Sequence, residues 1–125
     1  LVSKVIYIKE GYNKSFVILD AAMNDLMRPA LYNAKHKIIA TKKNKFFSKK
    51  TYEFVGPICE STDKFATIKK FQKLNEKDNI IICDVGAYGT SLSSNYNVRP
   101  KPLEIIIKAS KIRIINKRQK LTELM

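Results

Sequence analysis

Five side chains stand out as candidates for binding or catalysis: Arg28, Tyr32, Cys59, Glu60 and Tyr88. Arg28 and Tyr32 have the spacing that places two side chains on one helix face, where a guanidinium and a phenol could hold one carboxylate. On these residues alone, the favoured interpretation is structural, with Arg28 capping a helix and Tyr32 packing in the core. Cys59 and Glu60 place a thiol beside a carboxylate in a polar turn. Without further context the thiol is most simply inert and the carboxylate exposed.

Tyr88 belongs to the longest polar segment, which covers residues 86–100 and is rich in Gly, Ser and Asn. Isoleucine runs precede and follow it, at 80–82 and 105–107, and both are predicted to be buried strands. Ordering a long loop between buried strands is unfavourable, so such loops usually hold a site. Glycines allow close backbone approach, and tyrosines add aromatic faces with hydroxyl groups. The segment is therefore predicted to be either a ligand loop or a structural Ω-loop.

Three segments of the sequence stand out as motifs: DAAMNDLMRPALY at 20–32, GPICESTD at 56–63 and GAYGTSLSSNYNVRPKP at 86–102. In their residues and in their order, they resemble the motifs of the diaminopimelate decarboxylase family. The resemblance covers essentially the whole chain, but only the C-terminal β-domain of the family's enzyme. Two positions depart from the pattern, since Ala22 and Thr62 stand where the family has glycine.

The resemblance implies roles for the five candidate side chains. In the family, the residues matching Arg28 and Tyr32 bind the distal carboxylate of the substrate. The Cys59 equivalent is a proton donor and the Glu60 equivalent binds the distal ammonium, both reaching across a dimer interface into the partner's site. The Tyr88 equivalent contacts both cofactor and substrate. No metal ligands are expected, because one histidine and two cysteines are widely spaced.

The activity implied by the resemblance is the decarboxylation of meso-2,6-diaminopimelate to L-lysine and CO2 with pyridoxal 5'-phosphate. The cofactor's Schiff-base lysine and phosphate site belong to a (β/α)8 barrel domain that does not match this sequence. The chain, which opens mid-strand, is thus expected to be a piece of something longer and inactive alone. Two other functions remain open: a related decarboxylase of another diamino acid or polyamine precursor, or a basic β-barrel that binds nucleic acid.

The amino-acid composition helps to choose among these functions. The chain has 125 residues and 45% hydrophobic residues, enough for a core without disulfides, and a net charge of +13 that would attract polyanions. Its lysines are scattered among Ile and Asn, which indicates a compositional bias rather than a nucleic-acid patch. No apolar run approaches the ~18 residues of a membrane span. With neither a signal pattern nor a disulfide framework, the expected compartment is the cytoplasm.

Hydrophobic patterning predicts a single, mainly β domain over 1–125. Short strands and one main helix imply an antiparallel β-barrel or sandwich, which matches the C-terminal domain of an alanine-racemase-like pyridoxal enzyme. The helix is predicted from Pro29 to about His36, and an apolar period of three over 65–74 predicts a further helical turn or two. The predicted strands cover residues 2–9, 15–20, 38–41, 51–55, 80–85, 104–108 and 112–116.

Overall fold

The computed structural model describes all 125 residues and is built mainly from β-strands. The strands are β1 (Val2–Glu10), β2 (Lys14–Leu19), β3 (Ile38–Ala40), β4 (Thr51–Val55), β5 (Lys64–Ile68), β6 (Asn79–Ile82), β7 (Glu104–Lys108) and β8 (Lys111–Asn116). The single α-helix, α1, covers Arg28–Tyr32, and three short 3₁₀ helices cover Thr90–Leu92, Tyr96–Val98 and Leu121–Glu123. The longest helix has five residues, and none could cross a lipid bilayer.

Six strands form the main sheet in the order β3-β6-β1-β2-β4-β5, and β7 pairs only with β8. The main sheet curls into a nearly closed barrel. Its neighbours are antiparallel except β2 and β4, which are parallel. The prediction of a mainly β, mostly antiparallel barrel is confirmed. The parallel pair of β2 and β4 was not predicted. It forms because the chain between β2 and β4 crosses over to place β3 at the far edge of the sheet.

The core lies inside the curved sheet and follows from the alternation of apolar residues along its strands. Along β2, Val17 and Leu19 are fully buried, and along β4 the buried residues are Tyr52 and Phe54. The ring of Phe54 meets that of Phe71 edge-on at 5.2 Å and 70°. The Tyr52 hydroxyl accepts a hydrogen bond from the backbone N–H of Leu74 at 3.3 Å, so the one polar tip in this cluster is satisfied.

The helical prediction for residues 65–74 is wrong. Lys64–Ile68 forms β5, which pairs with β4 from the Tyr52↔Ile68 partners onward. Phe71 and Leu74 produced the apparent three-residue period, but they lie beyond the strand, after Lys70 has taken a positive φ of 54°. The alternation within the strand, with Phe65 buried and Lys64 exposed, was the informative signal.

The helix α1 is shorter than predicted. It starts at Arg28 with Pro29 in its first turn, where a missing N–H is tolerated. It ends at Tyr32 because Asn33 adopts a left-handed conformation with φ 54°, and the Asn33 N–H caps the carbonyl of Pro29 at 3.1 Å. The helix therefore does not reach His36, but it still carries both Arg28 and Tyr32.

The predicted hairpin of β7 and β8 is confirmed, but its isoleucines are not buried. Ile105, Ile106 and Ile107 are 41%, 50% and 67% exposed. The expectation of a buried strand after the polar loop is therefore wrong. The hairpin stands apart from the main sheet, so its apolar residues have no second layer in this chain to pack against.

Candidate functional site

The three polar segments singled out in the sequence meet around the turn after β2, in which Asn24 is fully buried. Its side-chain amide donates to the carbonyl of Ser94 at 3.2 Å, and the Ser94 N–H donates to the Asn24 carbonyl at 3.0 Å. Its Oδ1 accepts from Nε of Arg99 at 2.9 Å. Asn24 thus joins the turn after β2 to the loop of residues 86–100 through three hydrogen bonds, enough to fix their relative position.

Arg99 extends this junction. One of its Nη atoms donates to the carbonyl of Asp20, and the same atom lies 3.9 Å from Oδ2 of Asp25. Burial raises the pKa of the Asp25 carboxyl, opposed by the hydrogen bond from the Ala22 N–H and by the charge of Arg99. The sequence analysis missed Arg99 as a structural residue. The sequence feature that could have identified it is its position as the only charged residue of the polar loop of residues 86–100.

Asp63 ties the segment of residues 56–63 to the same turn. Its Oδ1 accepts from the N–H of Met23 at 2.7 Å, and its Oδ2 accepts from the N–H of Ile58 at 2.8 Å. Burial raises the pKa of the Asp63 carboxyl. The two N–H groups act in the opposite direction and lower this pKa, because they favour the ionised form. A Cβ on Gly56 would lie 2.2 Å from Oδ2 of Asp63, so only glycine fits beside the carboxylate.

We expect Asp63→Asn to destabilise the isolated chain by about 2–3 kcal/mol, because an amide offers only one acceptor oxygen. Its NH2 group would face a backbone N–H, which would then be buried without a partner. The matched control is Asp84→Asn, since Asp84 is exposed and its side chain makes no hydrogen bond. Urea titration of both variants measures the difference. Equal unfolding free energies for the two would contradict the bracing role of Asp63.

Glu60 is the one candidate side chain held by the rest of the chain. The Tyr96 hydroxyl donates to its Oε1, and Oγ1 of Thr62 lies 3.5 Å from its Oε2. Tyr96 thereby connects the loop of residues 86–100 to the Cys59-Glu60 turn. Thr62 and Ala22, which replace the family's glycines, do not have positive φ, so neither substitution strains the backbone.

The other four candidate side chains make no hydrogen bond or ion pair within the chain. Cys59 is exposed, Tyr32 is 63% exposed, Tyr88 is 67% exposed and Arg28 is half-buried. The structure thus joins Glu60 to the loop that carries Tyr88, and it shows no hydrogen bond or ion pair between Arg28 or Tyr32 and either of them. Their predicted roles as substrate-binding or catalytic residues remain predictions.

Comparison with known proteins assigns the fold and its motifs to a family. The model of the family described as "Pyridoxal-dependent decarboxylase, C-terminal sheet domain" matches residues 1–86. The chain belongs to this family.

The similar proteins are diaminopimelate decarboxylases, a more specific description than that of the family model. The diaminopimelate decarboxylase of Helicobacter pylori is 44% identical over 99% of this chain and 31% of its own length. The structure of that enzyme with L-lysine is matched at a TM-score of 0.89 and 46% identity, over 99% of this chain and 30% of the other. The structure of the M. jannaschii enzyme with L-lysine is matched at a TM-score of 0.93 and 37% identity, over 99% of this chain and 28% of the other. The chain spans less than a third of the length of these relatives.

Tyr88 combines a strained backbone conformation with an unpaired side-chain hydroxyl. Its φ of 59° is a left-handed conformation that a bulky residue rarely adopts, at an expected strain of about 1–3 kcal/mol. The next residue must be glycine, because a Cβ on Gly89 would lie 2.1 Å from the carbonyl oxygen of Val85. This backbone presents the phenol outward with its hydroxyl unpaired. A free phenolic donor is chemically suited to a phosphate oxygen or to the ring hydroxyl of pyridoxal phosphate.

Proposed function

We propose that this chain is the C-terminal sheet domain of a diaminopimelate decarboxylase, which converts meso-2,6-diaminopimelate to L-lysine and CO2. The observation that carries the proposal is the junction at Asn24, Asp63 and Tyr96, which assembles the three polar segments into one unit. Membership of the pyridoxal-dependent decarboxylase family supports the reaction class, and the L-lysine complexes of two similar enzymes support the product.

The proposed division of labour follows from the chemistry of each side chain. The Arg28 guanidinium holds the distal carboxylate of the substrate through parallel N–H donors, with the Tyr32 hydroxyl adding another. The Glu60 carboxylate, fixed by Tyr96, binds the distal ammonium. A substrate with both groups at its far end satisfies these residues together. A diamino acid without the distal carboxylate would leave Arg28 unpaired, which argues against the related decarboxylases.

Pyridoxal phosphate, when bound, supplies a sink for the electron pair released as CO2 departs. The chain's contribution to that step is the proton. The exposed thiol of Cys59 donates its proton to the substrate carbon that lost CO2, and the thiolate regains a proton from water. Tyr88 contacts the cofactor through its free hydroxyl. Both cysteines are free thiols, which suits a protein of the reducing cytoplasm.

The test is to join this chain to the remaining two-thirds of the Helicobacter pylori relative in place of that enzyme's own C-terminal domain. We expect the joined protein to release CO2 and L-lysine from meso-diaminopimelate, and the isolated chain to release neither. The isolated chain lacks the family's cofactor lysine and phosphate site, so stoichiometric binding of pyridoxal phosphate is not expected either.

The control replaces the same domain of the relative by this chain carrying Asp84→Asn, a change at an exposed residue outside the candidate site, and should turn over at the unmodified rate. A folded joined protein that binds pyridoxal phosphate but leaves meso-diaminopimelate intact would contradict the proposed substrate. Turnover of another diamino acid or a polyamine precursor instead would favour the alternative decarboxylase.

A further inference from the structure

The hairpin of β7 and β8 sorts its isoleucines by face. Its register pairs Ile105 with Ile114 and Ile107 with Ile112. Residues directly opposite in an antiparallel pair share a face, and alternate residues along a strand share it as well. These four side chains, the isoleucine face, therefore form one continuous apolar surface. Their exposed fractions are 41%, 55%, 67% and 68% in the order Ile105, Ile114, Ile107 and Ile112.

The opposite face of the hairpin is mainly polar, although it includes Ile106. Lys108 pairs with Lys111 and Ile106 pairs with Arg113, with Glu104 next along the strand. The carboxylate of Glu104 also accepts a hydrogen bond from Oγ1 of Thr90 at 3.0 Å. A hairpin that is mainly polar on one face and carries four isoleucines on the other has the pattern of a strand pair with one buried face.

Nothing in this chain covers the isoleucine face. Besides the Thr90–Glu104 bond, the hairpin region is tied to the loop of residues 86–100 through Gln119, whose Oε1 accepts from Nδ2 of Asn95 at 2.6 Å. Isolated two-stranded hairpins are marginally stable in water. Exposed apolar surface of this kind usually marks an interaction site. The hairpin therefore needs an apolar partner surface to remain ordered.

We propose that the isoleucine face docks on the rest of the decarboxylase polypeptide, the part that similar enzymes carry beyond this domain. The occupant's identity rests on the proposed function. Two observations favour it over a separate protein. Similar enzymes are more than three times as long as this chain, so another domain is at hand. The patch of four side chains is far smaller than the roughly 20–30 residues a side of a stable interface between separate proteins. A tethered domain needs less area, because its effective concentration is high.

Local charge disfavours the same hairpin of a second copy as the occupant and indicates the chemistry of the docking surface. The turn of the hairpin places Lys108 opposite Lys111. Two such surfaces would repel each other. The complementary surface is apolar at its centre, to match the isoleucines, and acidic at the edge that meets the turn.

The experiment compares thiol labelling at two adjacent positions on opposite faces. Ile107→Cys reports on the isoleucine face, and Ile106→Cys is the matched control, being half-exposed on the polar face of the same strand. Each variant is labelled with a maleimide as the isolated chain, at several concentrations, and as the joined protein with the rest of the Helicobacter pylori relative. Mass spectrometry of the hairpin peptide separates this label from those of other cysteines.

We expect labelling at position 107 to slow by about tenfold or more in the joined protein, and labelling at 106 to change little. Equal rates in the isolated and joined proteins would overturn the proposal, as would slowing at 107 that appears in the isolated chain as its concentration rises. If circular dichroism shows that the joined protein is misfolded, the remainder of the relative is added as a separate polypeptide. The same labelling outcomes then support or overturn the proposal. Protection is measured without turnover, so an inactive but protected protein would count against the proposed function alone.

Discussion

Replacing Arg28 with lysine in the joined enzyme should raise the KM for meso-diaminopimelate by roughly 10- to 150-fold while leaving the affinity for pyridoxal phosphate unchanged. Lysine keeps the positive charge but loses the planar pair of donors, a loss of about 1.5–3 kcal/mol for a charge-assisted bond in a desolvated site. Arg28 has no hydrogen-bond or ion-pair partner within the chain, so the substitution removes no internal interaction. The expected effect therefore falls on the ligand rather than on the fold.

The matched control is Arg113→Lys, on the polar face of the β7–β8 hairpin. It makes the same chemical change at an exposed position outside the proposed site and should leave KM within about twofold. Steady-state kinetics at fixed cofactor concentration, with cofactor affinity measured by absorbance, separate the two effects. A KM for Arg28→Lys that equals that of the control would remove Arg28 from the substrate site.

The strands that could be predicted from the sequence are those whose pattern is local. The β1–β2 hairpin follows from two alternating runs around a turn at residues 11–14, and α1 follows from Pro29 and its flanking residues. The prediction for residues 65–74 failed because side chains beyond the strand, Phe71 and Leu74, imitated a helical period. Local patterns alone do not say where a strand stops.

The junction between the polar segments could not be predicted, because its contacts are distant in sequence. The hydrogen bond between Arg99 and Asn24 joins residues 75 positions apart, and that between Met23 and Asp63 joins residues 40 apart. The five candidate residues came from side-chain chemistry and from the resemblance. Family membership supports the resemblance, whereas the role of each residue awaits the variants proposed above.

The exposure of the β7–β8 isoleucines shows a second limit of prediction from the sequence, which concerns burial. Two apolar runs separated by a short turn correctly predicted a strand pair, but burial depends on what packs against the strand. A sequence that spans less than a third of its relatives contains no information on that second layer. The isoleucine face and the unpartnered side chains of Arg28, Cys59 and Tyr88 have the same physical explanation if the rest of the enzyme completes both the core and the site.

Cys59→Ala should nearly abolish turnover in the joined enzyme, and the lost activity should return in part when the variant is mixed with a second inactive protein. The second protein carries an intact Cys59 but lacks the lysine that binds the cofactor in the other domain. This prediction follows from the family resemblance, in which the cysteine and glutamate of one subunit complete the site of its partner. The exposure of Cys59, and the absence of any internal hydrogen bond to its thiol, leave it free to reach another subunit.

The expected recovery follows from counting sites. In a C2 dimer each subunit contributes the same surface, so one interface builds two sites. Random reassortment after mild denaturation gives about half heterodimers, and one of the two sites in each heterodimer has both the thiol and the cofactor lysine. Roughly a quarter of the unmodified activity should therefore return. The control mixes the lysine-lacking protein with one carrying Cys83→Ala, whose cysteine has no proposed role.

We expect Cys83→Ala to be active by itself, so its mixture gives the activity that remains after reassortment when no thiol is missing from the site. Native mass spectrometry verifies that heterodimers have formed in both mixtures. Recovery in the Cys59→Ala mixture would require that the thiol of one chain serves the cofactor of the other, since neither parent holds both groups. Activity that stays at the level of the inactive parents, with heterodimers present, would place Cys59 in its own subunit's site or outside the proton transfer.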